Sequence, residues 1–347
     1  MTGNGLLDVI EPDGSHVVKA RLSKEGLSLV DPEIVSKAEK MKLSNSAITS
    51  MLKCPAKFAA DKWILRDIMP EDPLSANVLG SAFHKVMEIF YGKPAGKRTV
   101  EDMRDAYREA LSLDEFKAVK EDKEARQWVK DRVNSYWAMG LEKPDEVQIA
   151  SVEREGKWGP YTKKGLELYV QDKIGDSKRE TCGFIDRLCV DDDGEYLIDD
   201  WKTGKKADVF DPSDKYPDFS KVRQQILYTL MLEQQGGRVK AARLIYPKTA
   251  YKDPDGEEAI GGFVDDIPIR NKHYVKQAIK DVETVDAMVE SCVSRNTWDT
   301  EPSPLCSWCP LVNICPAAMK MNKANAVESR SNQPTKEFLA DGGIVAA

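Results

Sequence analysis

The sequence predicts an α/β fold in which a mixed central sheet is flanked by helices. One observation is the order of the patterns along the chain, which runs helices, three strands, a helix and two more strands. A second is that 347 residues, 41% of them hydrophobic, can bury a sizeable core. We expect one enlarged domain at residues 41–320, a poorly specified extension at residues 1–40 and a disordered tail at residues 321–347.

Two helices are predicted ahead of the strands. Ser44 is expected to cap the first helix, whose apolar stripe runs toward Phe58. The second follows Gly80, and helical spacing places His84 and Glu88 one turn apart on it. Residues 97–142 are rich in charge and are predicted to form a helical insertion that covers the core.

Alternating and apolar runs predict the remaining elements. Gly194 lies in a turn that is expected to join two of the strands as a hairpin. The predicted elements are strands at 148–154, 181–190 and 195–201, a helix at 220–234, strands at 241–246 and 261–268, and a long helix at 271–293.

Charge and composition exclude several classes of protein. The net charge of -7 argues against a chain coated in basic residues, although Lys202, Lys205 and Lys206 form a local basic cluster suited to nucleic acid. No apolar run is long enough to cross a bilayer, and residues 1–40 lack a signal-peptide pattern, so we expect a cytoplasmic protein with no membrane role. No phosphate-binding loop of the usual NTPase kind is present.

The strongest candidate site lies on the predicted hairpin. Side chains alternate along a strand, so Asp200 and Lys202 face one side while Asp199 faces the other. Asp186 on the adjacent strand can reach the same point. The two carboxylates, with the main-chain carbonyl of Trp201 as a further oxygen ligand, suit Mg²⁺ or Mn²⁺. A lysine beside them can orient water or stabilise charge during phosphodiester hydrolysis.

Other readings of these residues are open at this stage. The hairpin can equally be a surface element with solvated charges and a lysine ion pair. Gln224 and Tyr228 lie four apart on the next helix and can touch a substrate, or simply belong to an amphipathic helix. His84 can bind a metal ion or be a hydrogen-bonded core histidine.

Four motifs together resemble the RecB-like branch of the PD-(D/E)XK nucleases. They are Gly80-x-x-x-His84, Gly183-Phe184-Ile185-Asp186, Ile198-Asp199-Asp200-Trp201-Lys202-Thr203-Gly204 and Gln224-x-x-x-Tyr228. The resemblance implies a restriction-endonuclease-like fold, metal binding by the residues matching His84, Asp186 and Asp200, and catalysis by the one matching Lys202. Gln224 and Tyr228 would line the site. Glu153 resembles an acidic residue often found on the preceding strand.

The cysteines carry a second resemblance. Cys306-x2-Cys309-x5-Cys315, together with Cys54, is similar to the [4Fe-4S] staple of RecB-like nucleases, including the CRISPR-associated exonucleases. Spacing alone suits a zinc ion as well or better, so zinc stays the alternative. The other cysteines, which fit no ligand spacing, are expected to be small buried side chains: Cys182, Cys189 and Cys292.

The resemblance implies a Mg²⁺- or Mn²⁺-dependent deoxyribonuclease, favoured as an exonuclease on single-stranded DNA or DNA ends in recombination, repair or replication. A separate helicase or recombination protein is a possible partner. Trp201 and Trp308 are candidates for stacking on bases or for packing. The alternatives are a catalytically inactive DNA-binding or scaffolding subunit and a zinc-stabilised nuclease without iron.

Overall fold

A computed structural model describes most of the chain, namely residues 5–10, 16–65, 72–93, 98–141, 168–191, 193–204, 219–252 and 257–325. The chain divides into two compact units. The first comprises residues 1–71, 175–179 and 281–347, and the second comprises residues 72–174 and 180–280. Among the described residues, no helix combines the length and the apolar composition that crossing a bilayer requires.

The first unit begins with an antiparallel three-stranded sheet and is otherwise helical. Its strands are β1 (Gly5–Ile10), β2 (His16–Leu22) and β3 (Leu27–Leu29), followed by the two-residue β4 (Leu43–Ser44). Its helices are α1 (Pro32–Glu39), α2 (Asn45–Lys53) and α3 (Pro55–Ala60), a π-helical turn at Asp61–Leu65, a 3-10 turn at Pro304–Trp308 and α10 (Pro316–Asn325). The predicted cap is present, because Ser44 Oγ accepts a hydrogen bond from the Ala47 amide.

Residues 1–40 depart from the prediction of a poorly specified extension. Leu22 and Leu27 are fully buried, and an aspartate, Asp31, caps α1. Strands this short, among many charged residues, give little alternation to detect, and their sheet is completed by contacts distant in sequence. Leu27, for example, exchanges main-chain hydrogen bonds with Trp298.

The second unit holds the central sheet. The strands of that sheet are β7 (Arg187–Val190), β8 (Tyr196–Trp201), β9 (Val239–Lys252) and β10 (Glu258–Asp266). The unit also contains β5 (Leu168–Lys173) and β6 (Glu180–Ile185), which pair with each other outside the central sheet. Its helices are α4 (Ala76–Tyr91), α5 (Val100–Ala110), α6 (Lys117–Glu121), α7 (Lys123–Ala138) and α8 (Ser220–Gln234), with a 3-10 turn at Asp114–Phe116. The long α9 (Lys272–Arg295) contributes residues 281–295 to the first unit.

The central sheet is mixed, as predicted. Its order is β10-β9-β8-β7, with β8 and β9 parallel and the two outer pairs antiparallel. Helix α8 lies between β8 and β9 along the chain and supplies the connection that a parallel pair requires. The predicted α/β fold with a mixed sheet flanked by helices is therefore confirmed.

The predicted helical insertion packs on this unit. Helices α5 and α7 share a buried cluster with α4, to which Phe90, Val133 and Tyr136 contribute buried side chains. The ring of Trp201 belongs to the same cluster and is 2% exposed, so Trp201 is a packing residue and does not stack on bases. Trp308, in the first unit, is 56% exposed.

One predicted strand is two strands. The run at 181–190 breaks at Asp186: β6 pairs with β5, whereas β7 joins the central sheet against β8. Strand propensity is continuous through the run, so only the pairing of its two halves reveals the break. The predicted strand at 148–154, with Glu153, lies outside the described residues, as does most of the predicted tail.

Candidate active site

The predicted hairpin is present and brings two carboxylates together. Strands β7 and β8 pair antiparallel, with Arg187 opposite Asp199. Gly194 adopts φ +75° in the turn, a conformation that glycine accepts without strain. Asp186 lies just before β7, and its Oδ2 accepts a hydrogen bond of 2.8 Å from the Trp201 amide. This bond ties the carboxylate to the residue that follows Asp200.

Asp200 and Lys202 lie on the same side of the chain, at the end of β8. Asp200 is 1% exposed, and Lys202 Nζ lies 2.5 Å from its Oδ2. The Lys202 amide donates to the Ile245 carbonyl at 2.8 Å, which anchors the residue to β9. The alternative of a surface hairpin with solvated charges is wrong, because Asp200 and the preceding Asp199 are both buried.

Burial and charge set the ionisation of this pair. Burial, reinforced by the Asp186 carboxylate, raises the pKa of Asp200 to about 6 even though Lys202 opposes the shift. Burial of Lys202 disfavours its charge, but Asp200 and Asp186 outweigh that effect and raise its pKa. The site therefore concentrates negative charge that one ammonium group only partly offsets.

His84 completes the acidic cluster from α4. Its Nδ1 lies 3.5 Å from Oδ1 of Asp186. Burial, the largest influence, favours the neutral ring, yet Asp186 and Asp200 together raise the pKa of His84 above its ordinary value. The edge of the imidazole packs against Trp201, with ring centroids 6.0 Å apart. His84, Asp186 and Asp200 are thus grouped as the motif comparison implies.

Helix α8 supplies the two polar residues expected at the site. Lys202 Nζ donates to Gln224 Oε1 at 3.0 Å, and Gln224 Nε2 donates to the Tyr228 hydroxyl at 2.9 Å. Burial, followed by the charge of Asp200, raises the pKa of Tyr228, so its hydroxyl stays protonated. These bonds form a chain that holds the Lys202 ammonium in position.

Gly183 is required by the close approach of Tyr228. A Cβ added at Gly183 would lie 2.5 Å from Cε1 of the tyrosine ring and 3.0 Å from its hydroxyl oxygen. Any side chain there would push Tyr228 away from β6. The glycine of the Gly183-x-x-Asp186 motif therefore has a packing reason that the sequence alone does not reveal.

The Asp199 side chain lies on the opposite face of β8 from Asp200. Its carboxylate accepts hydrogen bonds from Arg187 Nη1 at 2.9 Å and from Arg243 Nε at 2.7 Å. The Arg187 guanidinium in turn lies 4.2 Å from the centroid of the Tyr91 ring. Of the adjacent acids, Asp199 is therefore neutralised within the core and Asp200 faces the site. The alternation of the strand identified the face, but not the two arginine partners.

The donor set at the site suits a hard divalent cation. Two carboxylates, the imidazole of His84 and the Trp201 carbonyl are the groups that could hold Mg²⁺ or Mn²⁺. The raised pKa of Asp200 is a physical sign of fit, since a cation would relieve the repulsion between buried carboxylates. Within the described ranges, no three His, Cys, Asp or Glu side chains converge tightly enough to form a ready-made metal site.

Lys205 and Lys206, predicted to contact nucleic acid, lie outside the described residues.

The four predicted cluster cysteines line one pocket of the first unit. They are Cys54, Cys306, Cys309 and Cys315. The Glu301 amide donates to Sγ of Cys54 at 3.5 Å, and the Ser303 amide donates to Sγ of Cys306 at 3.3 Å. Burial raises the pKa of Cys309 to about 12 and also raises that of Cys315. The four thiols share this pocket without converging into a ready-made metal site among the described residues. A thiolate-bound metal would favour their deprotonation through its charge.

Of the three cysteines expected to be buried, two are buried and one is not. Cys189 and Cys292 are each 1% exposed, whereas Cys182 is half-buried on β6.

Comparison with known proteins identifies a family. A family model described as the PD-(D/E)XK nuclease superfamily matches residues 42–316, a range that includes every candidate site residue. No curated protein sequence matches the chain. One solved structure, described as the crystal structure of SSO0001, is 12% identical with a TM-score of 0.32, covering 82% of this chain and 95% of its own. A structural likeness at that level carries no argument.

Proposed function

Because the chain belongs to the PD-(D/E)XK nuclease superfamily and is therefore a metal-dependent nuclease, we propose that it is a Mg²⁺- or Mn²⁺-dependent exodeoxyribonuclease. Its substrate is single-stranded DNA or DNA ends, in recombination, repair or replication in the cytoplasm. Its fold is the restriction-endonuclease-like one. The observation that carries the catalytic part of this proposal is the cluster that the buried Asp186 and Asp200 form with Lys202, to which Gln224 is joined.

Each residue of the cluster has a distinct chemical role. A divalent cation, when bound, supplies Lewis acidity and a counter-charge at the phosphate. Asp186 and Asp200 would hold it, with His84 and the Trp201 carbonyl as further ligands. The Lys202 ammonium stabilises negative charge that develops on the phosphate oxygens, and Gln224 keeps this ammonium at the site through the 3.0 Å bond.

A cleavage assay tests the catalytic assignment. Single-stranded DNA labelled at the 5′ or the 3′ end is incubated with Mg²⁺ or Mn²⁺ and wild type, Asp200→Ala or Lys202→Ala. Asp193→Ala is the matched control, because Asp193 is an exposed carboxylate in the β7–β8 turn. We expect wild type and the control to release label and both site variants to lose activity.

The scaffold alternative makes the opposite prediction for the same assay. Equal label release by all four proteins would indicate a contaminating nuclease, and no release by any of them would favour an inactive DNA-binding subunit. Circular single-stranded DNA distinguishes the mode of action. An exonuclease leaves the circle intact and degrades the linear form, whereas cleavage of the circle would overturn the exonuclease assignment.

We further propose that Cys54, Cys306, Cys309 and Cys315 hold a [4Fe-4S] cluster. Their shared pocket and the amide donors to two of the sulfurs support a thiolate-bound metal, and the motif resemblance favours iron over zinc. Anaerobic purification followed by visible absorbance and elemental analysis tests this. A brown protein containing iron is expected. A colourless protein containing zinc would establish the zinc-stabilised nuclease instead.

A further inference from the structure

Arg132 on α7 is held in a fixed orientation by a neighbouring tryptophan. The guanidinium carbon lies 3.3 Å from the centroid of the Trp128 ring, one helical turn earlier. Arg132 Nη1 also donates to the main-chain carbonyl of Trp128 at 3.3 Å. Stacking of this kind limits the conformations of a long side chain, so the cation is pre-organised before any ligand arrives.

The same side chain reaches the catalytic strand. Arg132 Nε donates to the Thr203 carbonyl at 3.3 Å, and Thr203 directly follows Lys202. Thr203 in turn lies close to α4, because a Cβ added at Gly80 would be 3.1 Å from its hydroxyl oxygen. Gly80 precedes His84 by one turn of that helix. Arg132 therefore borders the part of the chain that carries the catalytic lysine.

No carboxylate among the described residues forms a direct ion pair with Arg132, although Asp131 acts on it through its charge. The carboxylate next to it in sequence, Asp131, is bound by Lys248 at 2.8 Å and by Gln127 at 2.6 Å. Burial lowers the pKa of Arg132 to about 10, with only a partial opposing effect from Asp131. A half-buried cation without a counter-ion is costly unless an anion joins it.

We propose that Arg132 binds a backbone phosphate of the DNA strand, beside the phosphate at which the acidic cluster and Lys202 promote hydrolysis. This inference rests on the proposed function and adds a substrate-binding residue from the helical insertion. A guanidinium presents paired donors to phosphate oxygens and is the side chain best suited to bind them in a fixed plane. The Trp128 ring and the Thr203 carbonyl hold the guanidinium beside the residue that follows Lys202.

Salt dependence of binding tests the proposal without requiring cleavage. The full chain is titrated with a fluorescein-labelled single-stranded 20-mer and with a blunt duplex, in Ca²⁺, at several KCl concentrations. For Arg132→Gln, loss of one phosphate contact should make the slope of log K against log[KCl] less negative by about 0.7 for the single strand or about 0.9 for the duplex. Arg132→Lys keeps a charge and should keep most of the slope.

Arg108→Gln is the matched control, because Arg108 is an exposed arginine that pairs with Glu101 and Asp105. Its slope should equal that of wild type. Arg132→Met retains the stem that packs on Trp128 and serves as a second neutral variant if the glutamine variant does not fold. A purely structural role for Arg132 predicts a lower melting temperature with an unchanged slope, which would overturn the proposal.

Two failures can be told apart in these experiments. Absence of DNA binding by wild type overturns the role of Arg132. DNA binding with the expected change of slope, but without metal-dependent cleavage, overturns the proposed nuclease activity and leaves the phosphate contact standing.

Discussion

Oδ2 of Asp186 accepts a hydrogen bond from the main-chain amide of Trp201 over 2.8 Å. Asp186 lies at the break where the chain leaves β6 and enters the central sheet at β7. The hydrogen bond fixes a candidate metal ligand against the backbone directly after the second acid, Asp200. The position of Asp186 therefore depends on the C-terminal end of β8 as well as on the strands β6 and β7 that flank it.

This bond predicts different outcomes for two substitutions of Asp186. Asp186→Asn keeps an oxygen that can accept from the Trp201 amide but removes the charge, so the protein should fold with wild-type stability and lose cleavage by on the order of 100-fold or more. Asp186→Ala also leaves a buried amide without its partner, at a cost of about 1–3 kcal/mol. Thermal melting and label release measure the two effects. Equal melting temperatures for both variants would contradict the tether.

Substitution of the two adjacent acids of β8 should have different effects, one on stability and the other on cleavage. Asp199 is the buried partner of Arg187 and Arg243, so Asp199→Asn should lower the free energy of unfolding by about 3–5 kcal/mol. Asp200→Asn relieves repulsion with Asp186 and should melt no lower than wild type in EDTA while abolishing cleavage. Urea unfolding and the cleavage assay, run on both variants, check this contrast. A less stable Asp200→Asn would argue against repulsion at the site.

Gly183→Ala should disturb the site through Tyr228. The added methyl group overlaps the ring, and overpacking of this kind costs about 1–3 kcal/mol. Displacement of Tyr228 also loosens Gln224 and hence Lys202, so kcat should fall. Combining Gly183→Ala with Tyr228→Leu should restore part of the stability but not the activity. Additive effects of the two changes on unfolding would contradict the predicted contact.

Replacing a proposed cluster cysteine should lower the stability of the first unit before it affects cleavage. Cys306→Ser should remove bound metal and lower the melting temperature, because a metal site contributes folding energy to the segments that it joins. Cys182→Ser is the matched control, since Cys182 lies on β6, away in sequence from the proposed ligands, and should keep the metal. Metal content and thermal melting check both variants. Retention of full metal content by Cys306→Ser would exclude it as a ligand.

The local elements that carry the site could be predicted from the sequence. The turn at Gly194 marked the hairpin, alternation along β8 separated Asp199 from Asp200, and helical spacing put Gln224 and Tyr228 on one face of α8. Each depends on neighbours within a few positions, which is the range over which sequence patterns carry information.

Features that depend on distant partners could not be predicted. The break at Asp186 is decided by pairing with β5 on one side and β8 on the other. The stacked Arg132 meets Thr203 across 71 positions, and Arg243 meets Asp199 across 44. No local periodicity encodes such contacts, because they form only when the sheet and the helical insertion assemble.

Asp199 and Asp200 point to opposite faces of β8, so one face carries a structural ion pair and the other carries the candidate active site. A protein without cleavage activity can therefore be made by altering Asp200 alone, while Arg187 and Arg243 stay paired with Asp199. Such a protein could serve as a trap: expressed in cells and cross-linked, it would retain the nucleic acid that the active form destroys. Sequencing the captured nucleic acid would then reveal what the nuclease meets in its natural setting.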